Sequence, residues 1–134
     1  MLRNRWIYVI SLVGIAFVMT GCGAQSDTPS LKGTLTWDGQ PVPNMIVRFS
    51  PEEGRASEGK TGADGTFEMC YAMDRMGVER GNHRVTVEWS PPSDEIGLKP
   101  DPLAQKVIDD FNKNGPIAAM IDKRQDDFEI RLPR

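Results

Sequence analysis

Two thiols, one imidazole and a surplus of carboxylates are the groups in this 134-residue chain that could do chemistry. The thiols belong to Cys22 and Cys70, the imidazole to His83. A thiol nucleophile needs a base to take its proton and a third group to orient that base. A zinc site needs three or four well-placed nitrogen or sulfur ligands. One His and one internal Cys supply neither. His83 falls in phase with Val85 and Val87, which reads as a half-buried imidazole in a strand rather than as a general base. Cys70 lies in a strand-like run, where cysteine acts as a small hydrophobe. The carboxylates at 109, 110, 126 and 127 could gather at one end of a domain. Calcium, however, takes six to eight oxygens from a looped array, and adjacent acids without that array read as a solvated surface. Trp37, Tyr71 and Trp89 are flat groups suited to a binding hot spot, but their strand phase sets them with the core-facing residues. We expect no catalytic residue, no metal and no cofactor.

Cys22 stands apart from these. Arg3 and Arg5 precede an apolar run from Trp6 to Val18. That run is near the length of a secretory h-region and short of the ~20 residues a membrane-spanning helix needs. An uncleaved anchor is the alternative reading. Val18-Met19-Thr20-Gly21-Cys22 closes the run on small residues and a cysteine, and it resembles the lipobox of bacterial lipoproteins. The resemblance implies cleavage between Gly21 and Cys22, a diacylglyceryl group on the Cys22 thiol and acylation of the freed amine. One chain holds a protein to a bilayer marginally, whereas two or more anchor it stably. A Cys22–Cys70 disulfide is conceivable in an exported protein, but lipidation would exclude it. Gly23 follows the cysteine, and the sequence leaves open which membrane is faced.

The expected organisation is a signal peptide over 1–21, a flexible tether over 22–30 and one domain over 31–134. Loss of the signal removes Arg3 and Arg5 and no carboxylate, so the net charge of −3 becomes −5. An acidic domain is a poor partner for nucleic acid, whose phosphates require clustered Lys and Arg. Residues 23–30 are small and polar without apolar period, as a tether requires.

Beyond them, period-two alternation marks half-buried strands. It runs through Leu31–Trp37, Met45–Ser50, Thr66–Tyr71, His83–Trp89, Ile117–Ile121 and Phe128–Leu132, with a further short strand at 59–62. Asp38-Gly39 and Asp64-Gly65 are turn signals, and 72–80 lacks period and reads as a loop. Asp101-Pro102 is a helix start, and Leu103, Val107, Ile108 and Phe111 predict an amphipathic helix over about 102–113 that covers an open end of the sandwich. Asp122 to Asp126 reads as a charged turn. These elements predict an all-β, antiparallel β-sandwich with one short late helix.

Three stretches carry a family resemblance. Leu31 to Pro43, with Asp38-Gly39-Gln40 and two prolines, followed by Phe49-Ser50-Pro51, resembles the opening of carboxypeptidase regulatory-like domains, relatives of transthyretin in fold. Lys60-Thr-Gly-Ala-Asp-Gly-Thr-Phe-Glu-Met69 and Gly81-Asn-His-Arg-Val-Thr-Val87 resemble the next two motifs. Gly62, Arg80 and His83 depart from the usual Asp, Pro and Tyr. The part after Trp89 is similar to the tail of small planctomycete-type lipoproteins. The resemblance implies a seven-stranded prealbumin-like (Greek-key) sandwich with no activity of its own. The expected role is a non-enzymatic, lipid-anchored module of the periplasm or cell surface, held to the membrane and binding an envelope protein or a glycan. A small carbohydrate- or ligand-binding module is the alternative. A transthyretin-like hydrolase is the third reading, and it would need a cleft that sets His83 beside a nucleophile.

Overall fold

The computed structural model describes residues 28–134. They form two β-sheets and one helix. The first strand, β1 (Leu31–Trp37), alternates as its sequence requires, with Leu31, Gly33 and Leu35 buried. Asp38 and Gly39 then both adopt positive φ, 47° and 79°. That pair of angles makes the tight turn whose twist suits a hairpin. The chain therefore doubles back at once into a two-residue strand, β2 (Gln40–Pro41), paired with Thr36 and Trp37.

β3 (Met45–Pro51) buries Met45, Val47 and Phe49 and ends at its proline. It lies at the centre of the second sheet, between β4 (Ser57–Lys60) and β8 (Gly81–Trp89). β4 begins two residues before the expected 59–62 strand, because Ser57 and Gly59 are the positions that face inward opposite Phe49 and Val47.

The expected strand over Thr66–Tyr71 is divided between the sheets. β5 (Thr66–Glu68) pairs with β1, and β6 (Cys70–Ala72) pairs with β4. Met69 is the corner. Its N–H donates to the Leu31 carbonyl (2.9 Å), while its own carbonyl accepts from Gly77 N (2.8 Å). The stretch expected as a loop over 72–80 contains β7 (Arg75–Met76), which closes a hairpin on β6. The seven expected strands thus become ten: one is split, and two of two residues are added.

Helix α1 (Pro102–Asn114) starts and stops as predicted. The Asp101 carboxylate accepts from Ala104 N at 2.8 Å, which satisfies an orphan N–H of the first turn. Gly115 ends it at φ 75°, its N–H bonded to the Phe111 carbonyl. Ala104 and Val107 reach the sandwich core, with Leu103, Ile108 and Phe111 packed beside them. β9 (Ile117–Ile121) then adds antiparallel to β8, and β10 (Gln125–Leu132) begins inside the expected charged turn.

β10 pairs with β1 in parallel, Leu35 opposite Ile130 and Trp37 opposite Leu132. The expected wholly antiparallel sandwich is corrected here. Two strands at opposite ends of the domain cannot form a hairpin, so either direction is open to them, and the chain enters and leaves the sheet running the same way. Gly33 permits the approach: a Cβ there would stand 2.4 Å from the Phe128 carbonyl oxygen and 2.6 Å from the Phe67 ring. Across the sheets Phe128 meets Phe49 edge-to-face, 5.3 Å between ring centroids.

Thr28 and Pro29 are buried against the β7–β8 connection, and the Pro29 carbonyl accepts from Val78 N at 3.1 Å. Residues 28–30, expected as the end of the tether, are thus bonded to the sandwich. The rest of the expected tether lies outside the described residues.

Candidate functional site

Gly21 and Cys22, with the rest of the expected signal over 1–21, lie outside the described residues. What the structure places is the other potentially reactive groups.

His83 is 3 % exposed. It sits in β8 opposite Pro51 of β3 and Ala119 of β9. Its ring meets Phe49 edge-to-face at 5.9 Å. Nε2 lies 2.7 Å from the Glu79 carbonyl oxygen. A carbonyl only accepts, so this nitrogen carries the proton. Nδ1 is sealed from solvent and has no hydrogen-bond partner among the described residues. An open groove of about 410 Å³ runs past it, lined also by Glu52, Asn82, Arg84 and Met120. No thiol lines that groove. As a proton-transfer group His83 has one nitrogen tied to the backbone and the other enclosed.

Cys70 is half-buried in β6. Its Sγ–H donates to the Ala72 carbonyl at 2.9 Å, an arrangement that uses the proton a nucleophilic thiolate must lose. The residue lines a second groove, about 480 Å³, together with Ile46, Arg55, Glu58, Lys60 and Tyr71.

Tyr71 gathers charged groups on the surface of the second sheet. Its hydroxyl donates to Glu79 Oε1 at 2.7 Å. Arg55 and Arg75 stand 5.9 and 5.6 Å from its ring centroid. The hydrogen bond to Glu79 holds the phenol above its ordinary range, burial and the carboxylate's charge add to this, and the two guanidinium groups oppose it. Sequence reasoning set Tyr71 on the core face with Phe67 and Met69. The turn at Met69 re-aims it, and Tyr71 lines the outer groove instead. Trp37 and Trp89 are half-buried and pack against the core. The three aromatics therefore do not form a bare platform.

The four acidic positions go separate ways. Asp109 accepts from Gln105 within α1 (2.9 Å), and Asp126 pairs with Arg124 on the surface (3.1 Å). Asp127 is exposed on β10. Asp110 is buried and holds the terminal Arg134, with 2.9 Å from Arg134 Nε to Oδ1. Burial alone would raise the Asp110 pKa, but bonds from the Arg134 backbone N–H, the guanidinium and Asn114 outweigh it and leave the carboxyl below its ordinary range. No group of three or more His, Cys, Asp or Glu among the described residues could hold a metal ion.

Sequence reasoning missed two features. One is the Tyr71–Glu79 pair, for which an eight-residue separation across a hairpin leaves no periodic signal. The other is the Asp110–Arg134 pair; a lone Asp among the apolar positions of an amphipathic helix was its only trace. No protein-family model, curated protein or solved structure matches this chain.

Proposed function

We propose that this chain is an exported, lipid-anchored module of the cell envelope that binds a partner and catalyses nothing. The observation that carries the reading is the Val18–Cys22 lipobox at the end of an apolar run too short to span a bilayer. The enclosed His83 and the backbone-bonded Cys70 thiol support the non-enzymatic half of it. In the same reading the sandwich is of the carboxypeptidase regulatory-like, prealbumin-like type. β2 and β7 are additions, β5 and β6 together form one strand of the family's seven, and the helix is a late insertion before the last two strands. Such a fold presents surfaces and does not dictate chemistry.

An envelope protein is the favoured partner over a glycan, because Tyr71 is flanked by two guanidinium groups and Trp37 and Trp89 are engaged with the core. Mass analysis of the mature N-terminus from the membrane fraction tests the anchor. A diacylated and N-acylated Cys22 is the expected result, and a soluble chain with an unmodified thiol overturns it. Incubation with ester and amide substrates tests the second half, with turnover lost on His83→Ala as the overturning outcome.

A further inference from the structure

The inference rests on the lipid anchor just proposed and concerns which way the domain stands on its membrane. The chain enters the described fold at Thr28, and that point is fixed. The backbone of Thr28 and Pro29 packs against Gly77, where an added Cβ would stand 2.5 Å from both carbonyl oxygens. The first described residues therefore lie beside the β6–β7 hairpin. The same end of the sandwich holds the start of β8, since Gly81 pairs with Ile121 and His83 with Pro51. The opposite end holds Trp89, which pairs with Met45, and the loop over 90–100 that follows it.

Tether length then decides the orientation. Six residue steps separate Cys22 from Thr28, and at ~3.4 Å each they span at most about 20 Å. As a flexible coil they would average about 13 Å. The nine residues of β8 put roughly 30 Å between the two ends of the domain at ~3.4 Å per residue. With the far end on the bilayer, Thr28 would stand farther from the surface than the tether reaches. With the near end down, six residues reach the surface without strain on their length.

We propose that the domain rests end-on against the lipid surface that holds Cys22, with the hairpin tip at Met73 and Asp74 touching lipid and the 90–100 loop held outermost. Met73 is fully exposed and Met76 half so, and both lie in this hairpin. An unbranched apolar side chain at a tip can enter the headgroup boundary without disturbing the fold.

The test uses the full, lipidated chain in vesicles of phosphatidylethanolamine and phosphatidylglycerol. An environment-sensitive fluorophore is placed on Asp74→Cys, on Glu95→Cys or on Met120→Cys, each in a Cys70→Ser background whose melting is checked. Flotation of the vesicles is read in the same samples. Co-flotation with a blue shift and a several-fold rise at 74 alone supports the orientation, and adding Met73→Asp should lower that rise. Co-flotation with a change at 95, at 120 or nowhere overturns the orientation while the anchor stands. Loss of co-flotation overturns the anchor and the orientation with it.

Discussion

Arg134 closes on Asp110 across twenty-four residues of chain. Its backbone N–H and its Nε each take one carboxylate oxygen, at 3.1 and 2.9 Å. Its Nη2 reaches the Gly115 carbonyl at 2.7 Å, and the guanidinium lies 4.7 Å from the Phe111 ring centroid. One residue thus ties the end of β10 to the last turn of α1, where a cation also complements the helix dipole.

Breaking that tie should be measurable. Asp110→Ala leaves the Arg134 Nε and backbone N–H without their carboxylate acceptor and should cost about 1–3 kcal/mol, read by urea unfolding. A double cycle with Arg134→Ala should return a coupling of the same sign, because the two groups share one network. Additive losses would mean that each side chain contributes through packing alone.

Acid should act through the same carboxylate. The Asp110 pKa is lowered in the folded chain, so its stabilisation is present above the unfolded carboxylate value near 4 and is lost as pH falls through the folded value. Stability should decline below about pH 4, and Asp110→Asn should flatten part of that decline. An unchanged slope in the variant would assign acid sensitivity to other groups.

Gly33→Ala should destabilise the domain by about 1–3 kcal/mol through overpacking. The new methyl would meet the Phe128 carbonyl oxygen and the Phe67 ring at distances that force a shift. Thermal melting checks this, and a variant that melts like the parent would mean that β1 and β10 are not as close as described.

Val87→Asp puts an unpaired carboxylate between the sheets, opposite Val47 in the ladder. Burial of such a charge costs several kcal/mol, comparable to the whole stability of a small domain. Loss of the folded circular-dichroism spectrum at neutral pH is the expected outcome.

Cys22→Ala should release the chain from membranes or trap the precursor, because without the thiol there is no acceptor for lipid. Fractionation with immunoblotting reads both results. Normal processing with unchanged membrane retention would refute the anchor.

Much of this fold was legible residue by residue. Alternation in Leu31–Trp37, Met45–Ser50 and His83–Trp89 placed three strands and their buried faces, because side chains on a strand point to opposite sides in turn. Asp101, Pro102 and Gly115 bounded the helix for local reasons of capping and backbone angle. Where the alternation continued but the partner changed, as from Glu68 to Cys70, the sequence carried no mark. Period two reports that a residue faces inward and says nothing about which sheet it belongs to.

Composition and local pattern, then, determined by themselves that the chain makes short strands, two tight Asp-Gly turns and one capped helix. These follow from backbone angles and side-chain polarity within a few residues. The parallel seating of β10 on β1, the turn of the chain at Met69, the removal of Tyr71 to an outer groove and the grip of Arg134 on Asp110 were decided only in three dimensions. Each depends on groups far apart in the chain, whose meeting is selected by the packing of the whole core and not by any neighbour in sequence.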